Sequence, residues 1–112
     1  MRTPAAFSKI KEAVLGKRYD LSVALITPSA MRKAMKYKKA PPSKGKGVSN
    51  VLSFPLSKTS GEILICEAAR KPYTVEFLFI HGALHLKGLK HGATMDREED
   101  RLLKRFGFSR HG

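Results

Sequence analysis

Residues 74–88 place the heaviest constraint on this chain. Val75, Phe77, Leu78, Ile80, Ala83, Leu84 and Leu86 crowd into one helical segment, leaving it apolar nearly all round. A helix without a wettable face has to run through the middle of a protein. Thr74, following Pro72, is placed to cap its start, and Glu76 suits the positive end of the helix dipole. Gly88 is placed to end it. A length of 112 residues supplies enough chain for one modest core and no second one. The expectation is a single domain over residues 1–112, packed around this helix.

The remaining segments supply the packing. Phe7, Ile10, Ala13 and Val14 fall at helical spacing, so residues 5–16 read as an amphipathic helix ended by Gly16. Residues 21–27 alternate and are rich in β-formers, and Pro28-Ser29 opens a second helix to about Lys36. Prolines, glycines and lysines from Ala40 to Gly47 read as a loop. Asn50 to Phe54 reads as a strand ended by Pro55, and Gly61 to Cys66 as a second, buried one. The acids Asp96, Glu98, Glu99 and Asp100 mark the start of a last helix. Leu102, Leu103 and Phe106 are its core face, and Gly107 is its stop.

One cysteine, Cys66, excludes an internal disulfide framework, and its apolar strand makes it a buried, inert thiol. No apolar run approaches the roughly 20 residues that span a membrane. The first residues lack the long apolar region of a secretory signal, so a soluble, cytoplasmic protein is expected.

Charge narrows the partner. Lys plus Arg is 22 and Asp plus Glu is 9, a formal net charge of +13. Residues 21–61 contain no acid and carry Arg32, Lys33, Lys36, Lys38, Lys39, Lys44, Lys46 and Lys58. One lysine cluster is usually a solvated face kept for solubility. A field this strong on so small a chain instead attracts a polyanion, with binding that weakens steeply in salt. Nucleic acid is the expected partner.

The chemistry lies in residues 81–91, His-Gly-Ala-Leu-His-Leu-Lys-Gly-Leu-Lys-His, which hold three of the four histidines. His81 and His85 are four apart and share one helix face. Gly88 tolerates a left-handed backbone, so the chain can turn there and bring His91 back to the same ion. Three imidazoles with one position left to solvent is the layout of a catalytic zinc site. A lone His-x-x-x-His pair is more often structural; the third histidine behind a turn-forming glycine favours metal. Imidazole also suits nickel, copper and iron. His111, near the end, reads as solvated and uninvolved.

The spacing resembles the His-Glu-x-x-His-x-x-Gly-x-x-His signature of zinc proteases, but Gly82 stands where those enzymes carry their general base. A zinc peptidase is therefore the weaker alternative. His81-Gly82-x-Leu84-His85-Leu86-x-Gly88-x-x-His91 more closely resembles the hallmark of the YbeY family of bacterial rRNA maturation factors. Asn50-Val51-Leu52-Ser53-Phe54-Pro55 and Gly61-Glu62-Ile63-Leu64-Ile65-Cys66 are similar to strands of that family, in the same order. The resemblance covers residues 50 to about 106.

That resemblance implies a compact α+β domain with a small mixed sheet and a zincin-like three-histidine helix at its core. It implies a zinc-dependent endoribonuclease specific for single strands, acting in 16S rRNA 3′-end maturation and ribosome quality control. Its partners would be rRNA, the small ribosomal subunit and assembly factors, with no membrane. The chain departs from the family pattern at Leu89-Lys90, where Tyr-Asp is usual. The family's Tyr-Arg pair is matched only by Tyr37-Lys38. The stretch between Gly61 and His81 is too short for a helix usual in the family.

On this reading His81, His85 and His91 bind one Zn2+. Lys38, with Arg32 or Lys39 next, offsets charge on the phosphate. Lys33, Lys36, Lys39, Lys44 and Lys46 hold the RNA backbone. No general base is evident, and the ribose 2′-hydroxyl competes with water as nucleophile. The main alternative is a non-catalytic, basic RNA-binding protein of ribosome assembly with a structural metal. A plain ribosomal protein ranks lowest, since it has little need of clustered histidines.

Overall fold

The computed structural model describes residues 4–37 and 48–112. The chain runs α1 (Ala6–Leu15), β1 (Asp20–Ile26), α2 (Pro28–Tyr37), β2 (Val51–Ser57), β3 (Ser60–Cys66), α3 (Val75–Lys87) and α4 (Ala93–Phe106). A single 3₁₀ turn, Glu67–Ala69, occupies the short span before α3, where the family's additional helix was expected to be missing. The expected loop at 40–47 lies outside the described residues.

The sheet is three-stranded and mixed, in the order β1-β3-β2. The central β3 runs parallel to β1, with Val23 opposite Ile63, and antiparallel to β2, with Leu52 opposite Leu64. Its central place explains its near-continuous apolar sequence: Ile63, Ile65 and Cys66 are wholly buried. β2 passes through Pro55 rather than stopping there and reaches Ser57, with a register shift between Pro55 and Ser57. Edge strands tolerate proline because one side of the strand has no ladder to feed.

α3 lies across the sheet, buried at Phe77, Leu78, Phe79, Ile80, Gly82, Ala83 and Leu84. The Phe7 ring of α1 stacks flat on Phe79, centroids 3.9 Å apart. α4 closes the core with Met95, Leu102 and Leu103. α2 packs on β3 and buries Met31. The expected α+β domain with a small mixed sheet and a central histidine helix is therefore the architecture observed. His91 itself lies just beyond α3.

Both ends of α3 form as its sequence requires. The Thr74 hydroxyl accepts the Phe77 N–H at 3.0 Å. Gly88 adopts φ 111°, and the Leu89 N–H returns to the Leu84 carbonyl at 3.0 Å, the six-to-one bond of a Schellman stop. α4 begins three residues before the expected Asp96, because Asp96 N–H already bonds back to Gly92 O at 3.0 Å. Asp96 keeps its place in the first turn, while Glu98, Glu99 and Asp100 lie further along the helix.

Candidate metal centre

His81 and His85 project from one face of α3, one turn apart, and both are half-buried. The reversal at Gly88 returns His91 to them, exposed on the connection to α4. Ring centroids are separated by 4.6 Å (His81–His85), 4.7 Å (His85–His91) and 5.0 Å (His81–His91). One ring nitrogen from each lies within 4.8 Å of the others.

Hydrogen bonds orient two of the three rings. His81 Nδ1 is 2.6 Å from the Glu99 Oε2, and His85 Nδ1 is 3.0 Å from the Leu89 carbonyl oxygen. A carboxylate and a carbonyl only accept, so each Nδ1 carries the proton and each neutral ring keeps a lone pair on Nε2. Those two Nε2 atoms face each other at 3.1 Å. At that separation the two nitrogens either share a proton or both bind one ion, which each can reach at the usual zinc–nitrogen distance of about 2.0–2.1 Å. A ligating histidine backed through its second nitrogen by a carboxylate or carbonyl is the usual support of a metal site. The donor set thus fits a transition-metal ion. Burial, reinforced by the neighbouring His81, holds the His85 pKa below the ordinary imidazole range, although the Leu89 carbonyl opposes the shift. This favours the neutral form that ligation requires.

The residue after His81 has its own constraint. A Cβ on Gly82 would meet the Ile63 side chain at 3.2 and 3.3 Å. The position that carries glutamate in zinc proteases therefore faces the sheet in close contact, with no room for an acid.

A pocket of about 300 Å³ adjoins the histidines, its wall including Asn50, Tyr73, His81, His91, Glu99 and Arg110. Arg110 is the one cation among its described lining residues. Of the expected phosphate-binding residues, Arg32, Lys33 and Lys36 are exposed on α2 and do not line this pocket. Lys38, Lys39, Lys44 and Lys46 lie outside the described residues. His111 stacks on Tyr73 with centroids 5.5 Å apart and is not part of the trio.

Glu99 and Arg110 do not stand out as site residues in the sequence. Glu99 is 2% exposed and shares the inner face of α4 with Met95, Leu102 and Leu103. An acid at helical spacing on an apolar stripe was the available signal. Arg110 had none, since it lies beyond the Gly107 stop and reaches Glu99 only through the fold.

No family model and no solved structure matches the chain. Among curated proteins it is similar to Endoribonuclease YbeY of Rubrobacter xylanophilus, with 36% identity over 87 residues. The match covers 71% of this chain and 58% of that relative, so the chain spans little more than half of the relative's length. With the three-histidine signature folded into one cluster and that similarity beside it, the chain belongs to the YbeY family.

Proposed function

We propose that this protein is a metal-dependent endoribonuclease that cuts single-stranded RNA in the maturation of ribosomal RNA, including the 16S 3′ end. The observation that carries the reading is the convergence of His81, His85 and His91, with ring nitrogens within 4.8 Å of one another beside an open pocket. The name of the Rubrobacter relative and the +13 charge point the same way.

His81, His85 and His91 hold the metal, with zinc the first choice and nickel, copper or iron compatible with the same ligands. A bound divalent ion supplies Lewis-acid polarisation of a phosphoryl oxygen and acidifies nearby water. Arg32, Lys33 and Lys36 attract the RNA backbone from the exposed side of α2. Lys38, Lys39, Lys44 and Lys46 extend that basic segment, and Lys38 is the candidate for offsetting charge on the reacting phosphate. The small ribosomal subunit and its assembly factors are the partners this role requires, in the cytoplasm. Among the described residues no helix is long and apolar enough to cross a membrane.

Elemental analysis paired with cleavage of a labelled single-stranded RNA tests the reading. Wild-type protein should carry about one transition-metal ion and cut the RNA, while His85→Ala should lose both. Cleavage by metal-free His85→Ala protein overturns the mechanism. A wild-type protein that holds metal and binds RNA but leaves it intact is instead a non-catalytic assembly protein.

A further inference from the structure

Around the trio, His81 differs from His85 in how its second nitrogen is held. His85 relies on a backbone carbonyl one turn along, whereas His81 relies on a side chain from another helix. That side chain, Glu99, is buried and uses both oxygens: Oε2 accepts from His81 Nδ1 at 2.6 Å, and Oε1 accepts from Arg110 Nη1 at 3.3 Å. Arg110 is constrained in turn. Its Nη2 donates to Asp100 Oδ1 at 2.6 Å, and its guanidinium lies 4.6 Å from the centre of the Phe77 ring. Its backbone carbonyl accepts the Thr74 N–H at 3.0 Å, and the adjacent Ser109 carbonyl accepts the Thr74 hydroxyl at 2.7 Å. Arg110 is thus tied by its main chain to the start of α3 and by its side chain to α4.

We propose that Glu99 and Arg110 are positioning residues of the metal centre: Arg110 fixes the rotation of the Glu99 carboxylate, which fixes the ring and tautomer of His81. This rests on the metal-binding part of the function proposed above and not on RNA cleavage. A buried carboxylate with one oxygen released can turn about its last bond, and an imidazole whose Nδ1 loses its acceptor can turn or move its proton to Nε2. Either change removes a ligand from the trio without altering a histidine. The planar fork of Arg110 is what allows one side chain to hold Glu99 and Asp100 together while stacking on Phe77. A lysine ammonium is a point charge and cannot do all three.

The test is Co2+ binding to the full chain, read by titration and by the visible ligand-field band. ¹⁵N spectra of the histidines in the metal-free protein accompany it. Glu99→Gln, nearly the same shape, should weaken Co2+ binding about ten- to a hundredfold, the usual effect of removing such a partner. Arg110→Ala should weaken it by about tenfold, and Arg110→Lys should restore only part of that loss. In the metal-free variants the His81 nitrogens should leave the pure Nδ1–H pattern while His85 keeps it, a local signature that general loosening does not produce. Arg101→Ala breaks only the exposed pair with Glu98 and should bind Co2+ as the wild type does. Wild-type-like Co2+ affinity in both Glu99→Gln and Arg110→Ala overturns the inference. So does an unchanged His81 nitrogen pattern in both. A wild type that binds Co2+ but cuts no RNA sinks the nuclease reading and leaves this inference standing. A wild type that binds no Co2+ sinks both.

Discussion

Gly82 sits between the two helical histidines and has two roles. Without a side chain it lets α3 approach β3 closely enough for Ile63 to fill the gap, and it removes the acid that peptide hydrolysis would need. Any Cβ there falls 3.2–3.3 Å from Ile63 side-chain carbons, tighter than ordinary contact. Gly82→Ala sets an overpacking cost of about 1–3 kcal/mol against a helix-propensity gain of about 1 kcal/mol, so a net loss of no more than about 2 kcal/mol is expected. Gly82→Glu should cost more and confer no peptidase activity. Urea denaturation and a peptide-cleavage assay check the two outcomes.

His85 supplies a second prediction at this scale, for the chelated protein. Its folded pKa lies below the value in the unfolded chain, chiefly because of burial. Well above the ordinary imidazole range neither state is protonated, and His85 adds no pH dependence. As the pH falls through that range the unfolded chain takes up a proton that the folded chain resists. Stability therefore declines with falling pH across the window between the two pKa values. Melting of metal-free protein at a series of pH values should show that decline, and His85→Asn should flatten it.

Among the elements, α3 depends most on its ends. Its middle is apolar on every side except the face that carries His81 and His85, and the direction of those histidines depends on where the helix starts and stops. Thr74 caps the first turn and also donates to Ser109, so it joins α3 to the segment carrying Arg110. Thr74→Ala should cost about 1–2 kcal/mol, the upper part of the range for a lost cap, read as a shift in the denaturation midpoint. α2 has a different task. It buries Met31 and leaves Arg32, Lys33 and Lys36 in water. Reversing those three charges should weaken RNA binding and flatten its dependence on salt, since each lost phosphate contact removes about 0.7 from the log–log slope for a single strand. An unchanged slope relocates the RNA surface.

At the scale of the whole molecule, a radius of gyration of 13.2 Å matches the roughly 13 Å of a folded chain of this length. A core this small has little stability to spare, and a metal that binds only the folded state adds to it by mass action. The centre joins two helices: His81 and His85 come from α3, and the carboxylate behind His81 comes from α4.

Much of this was legible in residue order, because the signals involved are local. Helix caps at Thr74 and Gly88, the apolar run of β3 and the His81/His85 register each depend on neighbours within about one or two turns. The return of His91 could be anticipated as well, since one glycine and three residues set its reach. What residue order could not specify was every pairing across the fold. Glu99 looked like one more acid at a helix start until packing turned it inward, and Arg110 became its partner only when the segment after α4 crossed back to Thr74. Contacts between residues far apart in the chain leave no periodicity to read, and burial and charge pairing at such sites exist only once the helices have docked.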